Sequence, residues 1–277
     1  MSAWDKTDLA ALRGNYDGIG ADYAVTQDWR AYTAEEHALY RRLYQRQSAL
    51  VPRLACAEFN RALAALDAGS EIPRFNLVSH KLKAATGWEI VAVPGLVPDD
   101  VFFSHLSERR FPVTVWLRRP EEFDYIVEPD VFHDFFGHVP LLFDPVYADH
   151  LCEYGKGGLK ALRLNGLTFL ARLYWYTIEF GLMHTPDGLR AYGAGLLSSG
   201  GELPYAVESL VPQRFPFDLL RVMQSPYRID AFQDSYFVID SFDQLLRATA
   251  PDFTPLYVEL QRAAGPRASV PLRVSQP

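Results

Sequence analysis

The chain has 277 residues, of which 49% are hydrophobic and 14% aromatic, so it can bury a substantial core without disulfide bonds or structural metals. Its formal net charge is -7, and a mildly acidic chain with mixed charges is poorly suited to bind a nucleic-acid backbone. Two cysteines, Cys56 and Cys152, are too few for a disulfide framework and predict free thiols in a reducing compartment. The sequence shows neither a secretory leader nor an apolar run of about 18 residues, so we expect a cytoplasmic protein without membrane spans.

The first part of the chain predicts an arm followed by a helix. Residues 1–31 are polar and show little periodicity, so we expect an N-terminal arm that lies over the surface. A helix is predicted over 33–51, where Thr33 and Glu36 have the spacing of a capping box. Leucines then recur at helical intervals, which indicates one buried face.

Two more helices are predicted before the first strand. The segment 52–69 has Pro52 at its start and Gly69 after its apparent end, which is the usual asymmetry of helix termini. A third helix is expected within 73–86. Together these segments predict a helical N-terminal half for the fold.

The middle of the chain differs in composition. Two short runs, 89–95 and 111–118, are rich in β-branched and aromatic residues and are bounded by proline and glycine, so they predict strands. Further helices are predicted over the segments 130–137, 145–155 and 166–183. Residues 227–250 then predict a short strand followed by a helix.

No internal repeat, low-complexity tract or long linker divides the sequence. We therefore predict a mainly α (α+β) fold, with a single helical domain over 32–262 and a small β element. The C-terminal tail, 263–277, contains two prolines before its last residue and no heptads. It is poorly suited to form an oligomerisation helix, so we expect a monomer.

The segment "EPDVFHDFFGHVPLL" (128–142) holds His133 and His138, five positions apart in an apolar stretch. On a regular helix these residues point about 140° apart, so they cannot both face one ion. Gly137 could end a helix capped by Asp130 by adopting left-handed angles, with Pro140 blocking its continuation. A π-bulge would serve equally. We interpret the segment as a helix end and keep the π-bulge as the alternative.

A third ligand is suggested by a carboxylate in an apolar helix. Glu179 is the only acidic residue in 166–183, and an ionised carboxylate there is costly unless it faces a cation or a metal. The simpler alternatives are a salt bridge from Glu179 to Arg172 and core packing for each histidine taken singly.

Two imidazoles and one carboxylate form the donor set of non-haem iron(II) oxygenases. We therefore predict that His133, His138 and Glu179 bind a metal. Zinc hydrolases use the same donors, and Asp134 would then be a candidate general base, so the residues alone leave the metal open.

Three blocks of sequence carry a family resemblance. The segments "EPDVFHDFFGHVPLL", "LYWYTIEFGL" and "AYGAGLLSSGGEL" (191–203), in this order, closely resemble the pterin-dependent aromatic amino acid hydroxylases, over about residues 85–240. The resemblance implies that the catalytic metal ligands His133, His138 and Glu179 hold Fe(2+). It also implies a reaction in which O2 and tetrahydrobiopterin, or a related tetrahydropterin, place a hydroxyl group on an aromatic ring. The domain over 32–262 would then be the catalytic domain.

The resemblance also implies roles for other residues. Arg118 matches the arginine that holds the substrate carboxylate, and Asp130 the acid that supports it. The other substrate-binding candidates are two walls of the aromatic pocket and a serine near the amino acid end of the substrate: Pro129, Trp175 and Ser198. Glu202 matches an acid nearby.

A pterin site is implied around "GLVPDDVFF" (95–103), a loop whose backbone binds the pterin. The cofactor-binding candidates are Val97, Asp99, Phe102, which would stack on the pterin, and Asp134, which would reach it. Animal members have serines in place of Pro98 and Asp99 and a histidine in place of Pro112, so side-chain roles at those positions are not carried over.

The preferred substrate is indicated by two positions. Trp175 matches the members that act on phenylalanine and tyrosine. Ile229 stands where members that act on tyrosine tend to have aspartate, and an apolar residue suits a ring with no hydroxyl to pair. L-Phenylalanine is therefore the expected substrate. About 130 residues precede His133, as in compact bacterial-type members. The alternatives are a related tryptophan or tyrosine hydroxylase, a zinc-dependent hydrolase, and a non-enzymatic protein that binds a metal or an amino acid.

Overall fold

The structure of the chain is a computed structural model that describes residues 12–264. The expected tail, 263–277, lies almost entirely outside the described residues, as does the start of the expected arm. Within the described part, no helix is both long and apolar enough to cross a membrane. The mainly α (α+β) architecture predicted from the sequence is confirmed.

Three helices open the fold: α1 (Ala34–Leu54), α2 (Ala57–Leu66) and α3 (Phe75–Thr86). The predicted capping box starts α1, because the Thr33 hydroxyl accepts a hydrogen bond from the Glu36 amide (3.1 Å) while the Glu36 carboxylate accepts one from the Thr33 amide (2.8 Å). The third helix also lies where it was predicted.

The predicted boundary between the first two helices was wrong. Pro52 lies inside the last turn of α1, where it removes one backbone hydrogen bond, rather than at the start of α2. The break comes at Ala55 and Cys56, which are extended, and the Cys56 amide donates to the Ala191 carbonyl at 3.0 Å. Asp67, with φ 48°, ends α2 in the left-handed conformation, two residues before the glycine that marked the predicted end.

Two parallel strands, β1 (Glu89–Val93) and β2 (Arg110–Thr114), form a small sheet where strands were predicted. They are connected by α4 (Asp99–Ser107), in a segment that the sequence had suggested was a loop. The helix packs closely on α5 (Pro145–Arg163), because a Cβ atom at Gly158 would lie 2.1 Å from the Phe103 ring. This packing fixes the position of α4 beside β1 and β2.

A second sheet within the described residues has the strand order β4-β3-β6-β5. Its strands are β3 (Leu182–Thr185), β4 (Gly188–Ala191), β5 (Gln213–Pro216) and β6 (Ser235–Ile239). Only β6 was predicted, since strands of four residues are too short to show a reliable alternation. The helix expected over 166–183 therefore ends early, and its last two residues belong to β3.

The remaining α-helices of the described chain are short: α6 (Leu167–Tyr174), α7 (Ala194–Ser198), α8 (Glu202–Glu208), α9 (Leu219–Gln224), α10 (Phe242–Thr249) and α11 (Thr254–Ala264). The predicted strand and helix within 227–250 correspond to β6 and α10. Short 3-10 turns lie at Trp29–Ala31, Pro120–Glu122 and Val139–Phe143.

Candidate active site

The two histidines lie on a π-helix, His133–His138, which continues from a short helical start after Asp130. The Asp130 carboxylate accepts a hydrogen bond from the His133 amide at 2.9 Å, so the predicted cap is present. Gly137 is not among the glycines with positive φ in the described chain, and Pro140 lies within the 3-10 turn that follows. Our interpretation of a helix ended by Gly137 was therefore wrong, and the π-helical alternative is what the structure shows.

The phenylalanines of this segment anchor it to the core. Phe132 and Phe136 are completely buried and stack on each other with ring centroids 5.0 Å apart. Phe136 also meets Tyr44 of α1 and Phe59 of α2, edge to face, at 5.3 Å and 5.7 Å. The apolar neighbours of the histidines thus fix the π-helix against two other helices and leave the imidazoles on its opposite side.

Glu179 ends a second π-helix, Trp175–Glu179, which extends α6. Its widened hydrogen bonding is seen where the Phe180 amide donates to the Trp175 carbonyl, five residues back, at 2.8 Å. Each predicted metal-binding segment therefore contains a π-helix. In a π-helix the side chains point in directions that differ from those of a regular α-helix, which lets these residues face the same site.

The helix α7 packs against both π-helices because glycines leave it room. A Cβ atom at Gly137 would lie 2.8 Å from the Ala194 carbonyl oxygen. A Cβ atom at Gly193 would lie 2.4 Å from the Glu179 carbonyl oxygen. Gly193 of "AYGAGLLSSGGEL" and Gly137 of the first π-helix thus allow backbone-to-backbone packing around the site.

The structure brings the three predicted ligands together. The Nε2 atom of His138 lies 3.2 Å from Glu179 Oε1, and the Nε2 atom of His133 lies 3.6 Å from Glu179 Oε2. The two imidazole planes are nearly perpendicular, with centroids 5.2 Å apart. Two nitrogen donors and one carboxylate converging in this way suit a divalent transition metal bound on one side and accessible on the other.

Ser198 sets the tautomer of His133. Its hydroxyl lies 2.8 Å from His133 Nδ1 and donates its own proton to the Ala194 carbonyl at 2.9 Å. The hydroxyl must therefore accept from Nδ1–H, which leaves the Nε2 lone pair for a metal. The Nδ1 atom of His138 is buried without a hydrogen-bond partner in the described structure. Ser198 was predicted from the resemblance as a substrate residue, and its contact with a metal ligand was not foreseen.

A second carboxylate, Asp134, also lies close to both imidazoles, and the three residues form a group with metal-binding geometry. Burial raises the pKa of Asp134 to about 7, and its Oδ2 atom accepts a hydrogen bond from the Thr114 amide at 2.8 Å. Glu179 differs: burial would raise its pKa, but the charges of His138 and His133 outweigh this and lower it to about 2. We regard Glu179 as the better ligand because it faces both Nε2 atoms and is ionised.

The His133 side chain is also suited to bind a metal at neutral pH. Burial lowers its pKa to about 4, against the opposing effect of Glu179, so that the ring is neutral and can donate a lone pair. Glu179 is therefore ionised, and His133 has the protonation state and the tautomer that a metal ligand requires.

A cavity of about 240 Å³ adjoins the ligands. Of the predicted pterin and substrate residues, those that line it are Val97, Asp99, Phe102, Pro129 and Asp134. Val97 lies in the segment between β1 and α4, and Asp99 and Phe102 lie in the first turns of α4. A larger cavity of about 430 Å³ is bounded by other residues, including Asp144 and His184, and holds none of the predicted site residues.

Arg118 and Asp130 form a buried ion pair beside the first π-helix. Arg118 Nε and Nη2 donate to the two Asp130 oxygens at 2.8 Å and 2.9 Å, and the Arg118 amide donates to Oδ2 at 2.9 Å. Burial would raise the pKa of Asp130, but the Arg118 charge and these hydrogen bonds hold it below its usual value. Because Asp130 also caps the segment that carries His133, it connects the arginine to the metal-binding residues. In the described chain Arg118 Nη1 makes no hydrogen bond.

The two residues from which the substrate was inferred lie outside the lining of this cavity. Trp175 does not line the 240 Å³ cavity; it stacks on Tyr227 with centroids 4.3 Å apart and meets Phe180 at 4.7 Å. Ile229 is 50% exposed, so an aspartate at that position could keep its water and the argument from an unpaired buried group does not apply. Its carbonyl accepts a hydrogen bond from the Tyr125 hydroxyl at 2.9 Å.

Two residues of the site were missed by the sequence reasoning. Tyr174 lines the cavity, hydrogen-bonds to Glu179 and lies edge-on to Phe102 at 5.8 Å. Phe111 of β2 also lines the cavity and meets the His138 ring at 4.9 Å. Tyr174 precedes Glu179 by five residues, one hydrogen-bonded turn of a π-helix, so a predicted π-helix would have revealed it.

Comparisons with known proteins agree with this geometry. The model of the biopterin-dependent aromatic amino acid hydroxylase family matches residues 11–254. The phenylalanine-4-hydroxylase of Chromobacterium violaceum is 59% identical over 243 residues, which cover 87% of this chain and 82% of the relative. That of Ralstonia nicotianae is 58% identical, covering 86% and 77%. The iron- and phenylalanine-bound crystal structure of the C. violaceum enzyme is similar with a TM-score of 0.83 and 55% identity, covering 92% of each chain.

Proposed function

The chain belongs to the biopterin-dependent aromatic amino acid hydroxylase family, and within that family we propose that it is a phenylalanine 4-monooxygenase. The reaction converts L-phenylalanine to L-tyrosine with O2 and a tetrahydropterin, tetrahydrobiopterin or a relative of it, at non-haem Fe(2+). The observation that carries the proposal is the approach of two imidazole Nε2 atoms to the Glu179 carboxylate beside a cavity. Bacterial relatives that are 58–59% identical bear the name of the same activity.

We assign the metal to His133, His138 and Glu179. Fe(2+) and the tetrahydropterin together supply the activation of O2, which no amino acid side chain provides. The contribution of the chain is to hold the metal on one face, so that small ligands have access to the other. The hydroxyl of Ser198 holds the His133 ring in the tautomer that this requires.

We assign the substrate carboxylate to Arg118, positioned by Asp130. With Nε and Nη2 engaged by Asp130, the guanidinium keeps Nη1 for an anion, and its orientation is already fixed before substrate binds. Pro129 and Trp175 are assigned as walls for the aromatic ring. Ser198 retains one lone pair beyond its two hydrogen bonds, and we assign it to the substrate ammonium group.

We assign the pterin to the cavity lined by Val97, Asp99, Phe102 and Asp134. The Phe102 ring offers a face for stacking a planar heterocycle, and backbone groups near Val97 and Asp99 offer hydrogen bonds to its edge. Asp134 is assigned a hydrogen bond to the pterin because it is buried, lines the same cavity and adjoins the metal ligands.

We further propose a cytoplasmic monomer that has no nucleic-acid partner, consistent with a net charge of -7 and two free, buried cysteines. In this proposal residues 1–31 are an arm, 32–262 the catalytic domain and 263–277 a tail. Within the described part of the arm, the Tyr16 hydroxyl donates to the Leu96 carbonyl at 2.9 Å, which is consistent with an arm lying near the cavity.

The proposal is tested by loading metal-free protein with Fe(2+) or Zn(2+) and measuring tyrosine formation and O2 uptake. We expect tyrosine only with Fe(2+), L-phenylalanine, O2 and a tetrahydropterin together, and none when any one is omitted. The alternatives make different predictions. Turnover with Zn(2+) in the absence of O2 would indicate a hydrolase, and binding of the amino acid without product would indicate a binding protein.

A further inference from the structure

The described part of the N-terminal arm lies against the loop that follows β1. The Tyr16 hydroxyl donates to the Leu96 carbonyl at 2.9 Å. A Cβ atom at Gly95 would lie 2.7 Å from both the Arg13 carbonyl oxygen and the Tyr16 hydroxyl oxygen, so the arm passes directly over this glycine. Gly95 and Leu96 line the cavity that we assign to the pterin. The arm therefore supports one wall of that cavity from the outside.

Gly14 makes this close approach possible. Its φ of 110° lies in the region that favours glycine, and a Cβ atom there would lie 2.0 Å from the Pro94 carbonyl oxygen. The backbone of the arm thus packs directly on the backbone of the loop. This contact fixes where the neighbouring residue, Arg13, leaves the loop.

Arg13 connects the arm to a second segment of the chain. Its Nη1 atom donates to both carboxylate oxygens of Glu122 at 2.8 Å, and its amide donates to Glu128 Oε2 at 3.2 Å. Its guanidinium also lies over the Trp116 ring, 4.1 Å from the centroid. One residue of the arm is therefore held at three points along this second segment.

The segment that Arg13 holds carries residues that we assign to the amino acid. Arg118, assigned to the substrate carboxylate, follows Trp116 by two positions. Pro129, assigned to the aromatic ring, directly follows Glu128 and lines the cavity. Arg13 thus joins the segment assigned to the amino acid to the loop assigned to the pterin.

This connection is of moderate strength. The side chains of Arg13 and Glu122 are 27% and 34% exposed, so water partly screens their ion pair. Residues 13–16 form neither helix nor strand, so the position of the arm depends on these few contacts. A ligand that orders either segment should therefore also order the arm, and through it the other segment.

We propose that Arg13 is a positioning residue that couples the binding of the tetrahydropterin to the binding of the amino acid. Arg13 does not line the cavity, so it acts through the two segments that it joins. Such coupling is reciprocal, and each ligand raises the affinity for the other by the same factor. The inference rests on the proposed function for the identity and placement of both ligands.

The test measures calorimetric binding of L-phenylalanine to the Fe(2+)-loaded protein without O2, with and without saturating tetrahydrobiopterin. For the parent we expect the pterin to tighten L-phenylalanine binding about fivefold, the lower end of ordinary coupling between sites. For Arg13→Gln we expect the tightening to fall below about twofold, because the variant lacks the charge that holds Glu122 and covers Trp116.

The matched control is Arg74→Gln. Arg74 is exposed and lies over the ring of Trp29, another residue of the arm, 3.8 Å from its centroid. It lines neither of the two cavities described above, so this variant should keep the coupling of the parent. Loss of coupling in the control would show that any disturbance of the arm has this effect, which would overturn the role of Arg13.

Tyr16→Phe breaks the pterin side of the connection and keeps the test valid if Arg13→Gln folds poorly. Because it removes the hydrogen bond to Leu96, it should reduce the coupling in the same direction. Binding of L-phenylalanine without pterin should change by less than about twofold, since Tyr16 lies on the other segment.

A merely structural role of the arm would weaken L-phenylalanine equally with and without the pterin. That result overturns the inference, as does a parent that shows no coupling or coupling that is unchanged in both variants. The proposed function is judged separately, on tyrosine formation by the parent protein.

Discussion

Glu179 shows how far single residues can be interpreted from the sequence. A lone carboxylate in an apolar helix predicted a charged partner, and the structure places both imidazoles against it. The hydrogen bond between Ser198 and His133 could not be predicted, because the two residues are 65 positions apart and no local pattern connects them. Contacts of this kind depend on how elements pack, which residue types alone do not encode.

The choice between the two carboxylates of the site leads to a first prediction. Glu179→Gln should weaken Fe(2+) binding by more than about 100-fold. The loss of a metal ligand should reduce the affinity more than the loss of a residue that only orients a ligand. Asp134→Asn is the matched control and should retain iron, because we assign Asp134 to the pterin. Metal content after dialysis measures both. Iron lost from the Asp134 variant and kept by the Glu179 variant would reverse the assignment.

Ser198 provides a second prediction at this scale. Ser198→Ala removes the acceptor for His133 Nδ1–H, so the ring is no longer held in one tautomer, and we expect Fe(2+) affinity to fall about 10- to 100-fold. Competition with a chelator of known affinity measures the change. An unchanged affinity would show that the hydrogen bond does not orient the ligand.

Among the elements, regular helices with clear termini were predictable, whereas the first π-helix was only an alternative and the second was not expected. The capping box of α1 and the strands β1 and β2 follow from local spacing. The π-helices do not, because their widened turns are stabilised by packing against α7 rather than by a pattern of residue types. Pro52 was wrongly predicted to start a helix for a related reason. Its position in the last turn of α1 depends on the contact of Cys56 with the second sheet.

The glycines around α7 give a prediction at the scale of elements. Gly193→Ala would place a Cβ atom 2.4 Å from the Glu179 carbonyl oxygen, so a π-helix or α7 must shift. We expect a loss of about 1–3 kcal/mol in the free energy of unfolding, together with weaker iron binding. Gly157→Ala in α5 is the control, since nothing lies within 4 Å of its added Cβ atom, and it should stabilise by about 0.5–1 kcal/mol. Urea unfolding measures both; equal effects would contradict the account.

Glu202 gives a pH prediction, since it joins α8 to the second sheet. Its Oε1 atom accepts from the Tyr236 hydroxyl at 2.6 Å and from the Gln233 amide at 2.9 Å. Burial nevertheless raises its pKa above the ordinary value of 4.5, so the unfolded chain releases this proton at a lower pH than the folded chain does. The contribution of Glu202 to the free energy of unfolding is therefore largest below its ordinary pKa of 4.5. It is lost as the pH rises through the higher pKa of the folded state.

Glu202→Gln should remove this dependence. We expect the difference in melting temperature, variant minus parent, to increase from about pH 4 to about pH 7. In this range the side chain at position 202 titrates in the parent but not in the variant. Thermal unfolding of both proteins across this range measures the difference. A difference that stays constant would show that the pKa of Glu202 is the same in the folded and unfolded states, and one that falls with pH would show that the folded state favours the ionised form; either contradicts the prediction.

At the scale of the whole molecule, the predicted helices and strands indicated the class of fold, while composition and charge indicated only a substantial core and a poor fit to nucleic acid. The mainly α architecture and free cysteines are confirmed, and burial raises the pKa of Cys56 to about 12, so its thiol is protonated and unreactive. Three strands of the second sheet, β3, β4 and β5, escaped prediction because each has only four residues. The function could be predicted because three separate blocks of sequence together carry the family resemblance, and the fold adds that these blocks meet around one site.

The central claim is that this chain transfers an oxygen atom from O2 to an aromatic ring. The most direct test is to supply Fe(2+)-loaded protein with L-phenylalanine, a tetrahydropterin and isotopically labelled ¹⁸O2 in ordinary water, and to determine the mass of the tyrosine formed. We predict that the new hydroxyl group carries the label and that no tyrosine forms without the pterin. Unlabelled tyrosine, or labelled tyrosine formed equally without the pterin, would contradict the account.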